Sequence, residues 1–240
     1  MKKLLLALLF APLAALASEE AKLESANIDP HDSVSIQRGA KTFVNYCLNC
    51  HSAASMRYNR LMDLGLTEQQ VKDNLMFASE KIGDPMTISA GRKEQKQWFG
   101  AEPPDLSVIA RSRGTDWLYA YLRGFYRDEQ RPTGWNNVVF PNVGMPHVLW
   151  QLQGVQVMKT EVEEEEGHKV EHRKLELEKP GTLSKIEYDR VARDLVNFLS
   201  WMGEPEKERR SQIGVLVLLF LLLTLVPVWA LKTEYWKDVH

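Results

Sequence analysis

Cys47-Leu48-Asn49-Cys50-His51 uses both cysteines of the 240-residue chain. Thiols three positions apart lie about one helical turn from each other, so both sulfurs reach the same edge of a planar ring. A histidine directly after the second cysteine completes C-x-x-C-H, the attachment signature of a c-type haem. The thiols add across two vinyl groups and the imidazole reaches the iron. Scattering two Cys and six His at random through the chain yields this arrangement roughly once in 5,000 trials. Other uses of C-x-x-C fit the context less well. A thioredoxin-like motif expects a βαβ setting and has no role for His51. Structural zinc needs two more ligands, and no second Cys pair or H-x-x-x-H run supplies them. A disulfide across so short a loop is strained and leaves His51 idle. The motif predicts one haem c, covalently held through Cys47, Cys50 and His51.

Both ends of the chain speak to compartment. Met1-Lys2-Lys3, a 13-residue apolar run from Leu4 to Leu16 and the A-x-A site Ala15-Leu16-Ala17 read as a signal peptide, residues 1–17. The run is too short to span a bilayer. Cleavage after Ala17 exports the remainder, as c-type attachment requires. Near the C-terminus, Ile213 to Leu231 carries no charge. At about 1.5 Å per residue it spans roughly 28 Å, close to a hydrocarbon core. Arg209 and Arg210 precede this anchor (residues 211–231), and Trp229, Lys232 and Trp236 mark its other interface. The flanking basic residues are slightly more numerous before the span than after it, which alone points the wrong way. The signal peptide outranks that bias. The expected topology is an exported haem domain (residues 18–210) on the periplasmic side of the inner membrane and a short cytoplasmic tail (232–240).

A net charge of −2 gives no reason to invoke nucleic acid as a partner. Ser33 to Cys47 carries Ile36, Ala40, Phe43 and Val44 on one face and reads as a helix delivering the cysteines. Ser184-Lys185-Ile186-Glu187 is a capping box opening a second helix, with Tyr188, Val191, Leu195, Phe198, Leu199 and Met202 on one stripe and Gly203 and Pro205 at its end. The two are expected to cross, Gly39 allowing close approach and Phe43 packing on the Phe198 side. Thr67 to Met76 and Thr115 to Arg123 also read as helices. Phe125 to Pro146, rich in Gly, Pro and Asn, reads as one long irregular loop, a length that in a compact domain usually signals function. Residues 153–177 alternate around the charged stretch Glu163 to His168 and predict a projecting β-hairpin. The fold class is mainly α: a c-type cytochrome haem domain with long loops, a β-hairpin insertion and one C-terminal transmembrane helix.

The sixth ligand decides the chemistry. A Met thioether gives a saturated, electron-transferring iron of raised potential, and an open position admits ligands or peroxide. Met145, in Asn142-Val143-Gly144-Met145-Pro146, stands in a loop fixed by Gly and Pro, far in sequence from His51. His147 is the rival.

These residues resemble the cytochrome c1 family, the haem subunits of quinol–cytochrome c reductase, in its bacterial form. The likeness rests on Cys47-Leu48-Asn49-Cys50-His51-Ser52, Pro103-Pro104-Asp105-Leu106-Ser107, Arg111-Ser112-Arg113, Gly144-Met145-Pro146 and Trp201-Met202-Gly203-Glu204-Pro205, with a single anchor after them. The resemblance implies that Pro104 and Ile109 line the haem, that Arg113 pairs with a propionate, and that Met145 is the axial Met. It implies a one-electron relay from a Rieske-type iron–sulfur subunit to a c-type cytochrome, beside a cytochrome b subunit in a dimeric complex. A membrane-anchored c-type cytochrome of another respiratory route is the alternative, and a sensor or peroxidase with an open iron is a more distant one. No cysteines remain for the extra disulfide that some members carry, so what holds the Met145 loop is left open.

Overall fold

The structure, a computed structural model, describes residues 23–165 and 168–238. The expected signal segment, two residues of the acidic hairpin tip and the end of the tail lie outside the described residues.

Asp32 opens α1 (Ser33–Thr42) by accepting a hydrogen bond from the Ser35 N–H at 2.9 Å. The helix expected to continue unchanged to Cys47 instead widens at Phe43. Phe43–Cys47 is π-helical, with the Leu48 N–H reaching the Phe43 carbonyl at 3.0 Å. One extra residue in the turn rotates the next part of the chain by about 100° relative to an uninterrupted α-helix, so it changes where the cysteines face. Apolar periodicity cannot reveal such a step, because Phe43 and Val44 stay buried on the same side.

The next elements are short. Strand β1 (Ala53–Arg57) pairs antiparallel with β2 (Pro85–Met86), flanking a 3-10 turn (Tyr58–Leu64) and α2 (Glu68–Leu75). Thr67 caps α2 through a reciprocal box with Gln70. Next come α3 (Arg92–Phe99), α4 (Ile109–Arg113) and α5 (Thr115–Arg123). The stretch read as one irregular loop contains β3 (Phe125–Arg127) and β4 (Trp135–Asn137), paired antiparallel. Three-residue strands are too short to show alternation, and asparagine is a poor strand former, so neither was visible in the pattern.

After a single turn, α6 (Trp150–Gln153), the chain enters β5 (Gly154–Glu165) and returns through β6 (His168–Pro180). The hairpin begins within a residue of the expected point and runs three residues further. It does more than project: β5 also pairs parallel with β3 at Arg127 and Val157, giving a sheet ordered β4-β3-β5-β6. Gly154, at φ +99°, turns the chain at the hairpin's root, where a Cβ would lie 2.3 Å from the Lys179 carbonyl oxygen.

Ser184 and Glu187 form the expected capping box of α7 (Lys185–Gly203). Helices α1 and α7 cross at Gly39, where a Cβ would lie 2.0 Å from the Asp194 carbonyl oxygen and 2.7 Å from the Phe198 Cβ. The Phe43 and Phe198 rings pack with centroids 5.4 Å apart. A polar clamp fixes the register of the crossing. Ser35 Oγ and Arg38 Nε each donate to the buried Asp194 carboxylate at 2.6 Å. Helix α5 lies against α7, its Leu122 carbonyl accepting from Tyr188 Oη at 2.8 Å. After Gly203 the chain passes into α8 (Lys207–Tyr235), which continues through Pro227 with its apolar side chains exposed. Its stretch Arg209–Tyr235 is long and apolar enough to cross a membrane: 27 residues at about 1.5 Å each give roughly 40 Å.

Gly39→Ala should therefore break the crossing. Its methyl group meets main chain that cannot rotate away, so we expect a loss at or above the upper end of the usual overpacking range, about 3 kcal/mol. Denaturant unfolding of the purified protein checks it.

Candidate haem site

His51 is 9% exposed, and its ring carries a specific hydrogen bond. Nδ1 lies 2.7 Å from the Pro104 carbonyl oxygen. A carbonyl only accepts, so Nδ1 holds the ring proton and Nε2 keeps its lone pair. Burial pushes the imidazole below its usual pKa range, against the raising effects of the Pro104 bond and of Asp105. A neutral imidazole whose other nitrogen donates to a backbone carbonyl is the arrangement in which histidines bind metals.

The Pro103-to-Ser107 run is what aims that carbonyl. Asp105 accepts from the Ala54 and Ser107 N–H groups, each at 2.8 Å. Burial pushes the Asp105 carboxyl up, but these bonds and one from the Ser107 side chain outweigh it and hold the group below the usual carboxylate range. Ser107 Oγ accepts from the Ser55 N–H at 3.0 Å, and the Leu106 N–H reaches the Ser52 carbonyl at 2.8 Å. From α3, the buried Gln95 donates to the Cys50 carbonyl at 2.9 Å. The segment before His51 is thereby tied to α3 and the segment after it to the Pro103–Ser107 run.

Cys47, Cys50 and His51 line a cavity of about 340 Å³, and Pro104, Ile109, Arg113 and Met145 line the same cavity. The structure thus brings together all seven residues singled out from the sequence. Leu195 and Leu199 of α7 and Trp117 of α5 complete much of the remaining wall. Burial pushes the Cys47 thiol up to about 12, with the neighbouring Cys50 adding to the effect. A wall that penalises a thiolate suits a neutral thioether, which has no proton to lose. Arg113, the only Lys or Arg among the described lining residues, lies 5.1 Å from the Trp117 ring centroid and 5.8 Å from that of Phe140.

His147, the rival to Met145, does not line the cavity. It is 2% exposed and stacks on Phe125, with centroids 4.8 Å apart and planes 2° from parallel. Met145 is tied to a different aromatic partner. Tyr121 Oη donates to its sulfur at 3.3 Å. Burial raises the Tyr121 phenol well above its ordinary range, so it keeps its proton. The sequence reading missed Tyr121 and Trp117. The signal was present, since Trp117, Leu118, Tyr121 and Leu122 fall on one face of the expected helix.

What holds the Met145 loop is a pair of buried asparagines. Asn137 Oδ1 accepts from the Val139 N–H at 2.8 Å and the Phe140 N–H at 3.2 Å, and its Nδ2 donates to the Tyr121 carbonyl at 2.8 Å. Asn136 Oδ1 accepts from the Asn142 N–H at 2.8 Å, while its Nδ2 donates to Asp128 at 2.8 Å. Asn142 itself takes φ +63°, a left-handed conformation that asparagine tolerates. Arg131 donates to its main-chain carbonyl at 2.9 Å.

A family model described as Cytochrome C1 family matches residues 24–239. The chain belongs to the cytochrome c1 family. It is 50% identical to cytochrome c1 of Allochromatium vinosum across the whole of both chains. It is 49% identical to a Nitrosomonas europaea protein named ammonia monooxygenase gamma subunit, over 100% of this chain and 98% of that one. Cytochrome c1 of Rhodospirillum rubrum is 28% identical over 87% of this chain and 83% of its own length. Membership brings haem binding and a place among the electron-carrier subunits of the bc1 complex. The cavity fits that cofactor: its walls are mostly apolar, and a histidine with a free nitrogen lone pair, two thiols, a thioether and one guanidinium line it, with Glu102 as its carboxylate.

Asn137→Ala leaves at least two partly buried backbone groups without partners, at about 1–3 kcal/mol each. Two such groups set an expected loss of about 2–6 kcal/mol in denaturant unfolding. Amide exchange should accelerate at Val139 and Phe140 while α1 stays protected.

Proposed function

We propose that this chain carries one covalently attached haem c and relays single electrons between an iron–sulfur (Rieske-type) subunit and a c-type cytochrome, beside a cytochrome b subunit in a dimeric complex. The observation that carries the reading is the single cavity shared by Cys47, Cys50, His51 and Met145. Cys47 and Cys50 would hold the haem through thioether links, His51 Nε2 and the Met145 sulfur would bind its iron, and Arg113 would pair with a propionate. A haem iron with His and Met ligands exchanges one electron between Fe(II) and Fe(III) without binding substrate.

The protein's own part is positional and electrostatic. Pro104 fixes the His51 tautomer through its carbonyl. Pro104, Ile109, Leu195 and Leu199 exclude water, which disfavours the more charged oxidised state. Neutral thioether sulfur favours Fe(II) over Fe(III) in the same direction. The π-helical step ends at Cys47, which lines this cavity together with Cys50. No general acid, base or nucleophile is required of the chain.

The apolar length of α8 supports a single membrane anchor. We place the haem domain on the periplasmic side, with residues 1–17 removed as a signal peptide. Isolation of the membrane complex through a tag on this chain tests the assignment. Recovery with a cytochrome b and an iron–sulfur protein is expected, and recovery with an unrelated set of membrane subunits overturns it. That second outcome would turn attention to the naming of the Nitrosomonas relative.

Two substitutions test the site. Replacing both Cys47 and Cys50 with Ala should abolish haem retention on a denaturing gel. Met145→Leu preserves volume at a packing cost below about 1.5 kcal/mol. The haem should remain covalently bound, the reduction potential should fall, and the reduced protein should begin to bind carbon monoxide. An unchanged spectrum and potential would exclude Met145 as the ligand.

A further inference from the structure

The Tyr121 hydroxyl is placed where a phenylalanine would pack equally well. Its ring is stacked on Trp117, with centroids 4.9 Å apart and planes 10° from parallel, and meets Phe125 edge-on at 5.1 Å. The backbone of the same residue is held by Asn137, which donates to the Tyr121 carbonyl at 2.8 Å. Aromatic neighbours and the tethered main chain thus fix where the hydroxyl points. It points at one atom, the Met145 sulfur, at 3.3 Å. A hydroxyl in mostly apolar surroundings costs free energy unless it is hydrogen-bonded, and thioether sulfur is a weak acceptor. Packing alone does not explain why oxygen stands at this position.

We propose that Tyr121 is a positioning residue that holds the Met145 sulfur by a hydrogen bond and raises the reduction potential of the iron that this sulfur ligates. The inference rests on Met145 being the axial ligand. A thioether sulfur has two lone pairs, so it can bind a metal with one and accept from Tyr121 with the other. The positive end of the O–H dipole draws density from the sulfur. That weakens its donation to Fe(III) more than to Fe(II), because the oxidised iron depends more on donated charge. The reduced state is favoured as a result. The bond also ties the ligand loop to α5, and through Tyr188 Oη and the Leu122 carbonyl to α7.

The test uses the full-length haem-loaded protein and reads potential and spectrum, not turnover. Tyr121→Phe retains the ring and its stacking. It should keep the thioether–Fe(III) charge-transfer band, shifted in energy, and lower the ferrous-to-ferric ratio at fixed ambient potential by roughly threefold. At 59 mV per tenfold for one electron, that is about 28 mV. Site-specific Tyr121→3-fluorotyrosine, a stronger donor of the same shape, should move the potential the other way and covers the case in which the Phe variant fails to fold. A double-mutant cycle separates this claim from the ligand assignment. In a Met145→Leu background no sulfur remains to polarise, so adding Tyr121→Phe should leave the potential unmoved. An equal drop in both backgrounds, or no drop in the first, overturns the role of Tyr121. Persistence of the charge-transfer band in Met145→Leu alone would instead overturn the ligand assignment beneath it.

Discussion

Where α1 crosses α7, the Gly39 Cα lies against the main chain of Asp194, closer than any side chain would permit. The haem cavity is built outward from that contact. Helix α1 ends in the widened turn that carries Cys47, while α7 contributes Leu195 and Leu199 to the wall. Helix α5, which brings Trp117 and Tyr121, is tied to α7 through Tyr188. A shift of one residue at the crossing would displace all three sets. The buried Asp194 clamp guards against such a shift. Burying a carboxylate against partners seldom adds much net stability, because desolvation offsets the attraction. Satisfied by Ser35 and Arg38, it instead makes any other register costly, since a slipped helix would leave the charge buried and unpaired.

A second constraint is that the proposed ligands of the iron come from distant parts of the chain. Met145 lies 94 positions beyond His51, in a segment with little regular structure. Fixing each loop residue costs about 1–2 kcal/mol of backbone entropy, so such a loop needs its own bonds. A disulfide is one way to supply them. Here both cysteines belong to the haem motif, and side-chain amides take over. Asn136 and Asn137 each serve two or more main-chain groups. Arg131 then secures the strained turn at Asn142. An amide with one acceptor and two donors suits this work, since it satisfies groups of both kinds from a single buried position.

The legible parts of the molecule were those whose signals repeat or are chemically unusual. C-x-x-C-H, the capping box at Ser184 and the apolar C-terminal run each announce themselves within a few residues, and Gly39 marked the helix crossing. The parts that escaped notice depend on backbone detail or on partners far away in sequence. The π-helical step keeps the apolar face intact, so no periodicity betrays it. Strands β3 and β4 are too short to alternate. Asn136 and Asn137 read as loop composition until their partners at Tyr121, Val139 and Asn142 are known. Tyr121 is the clearest case: on the helical face it is one more apolar contact, and only the position of Met145 gives its hydroxyl a purpose.

The route from this domain to the membrane is short enough to be stiff. Three residues separate α7 from α8, and Glu204, first among them, pairs with Arg210 in the next helix. Arg60, beside the attachment region, reaches Glu206 at 2.7 Å and Asp63 at 2.9 Å. Apart from the Glu204 carboxylate, the charged groups of these pairs are exposed, and individually such contacts contribute little to stability. The shortness of the joint does more, since so few free torsions leave the domain little room to swing. Every described residue that lines the cavity nevertheless precedes Gly203. The anchor therefore sets where the haem edge stands relative to the bilayer, while the geometry of the iron site is fixed before the chain reaches the membrane. Position and potential are governed by separate parts of one chain, so either can vary without disturbing the other.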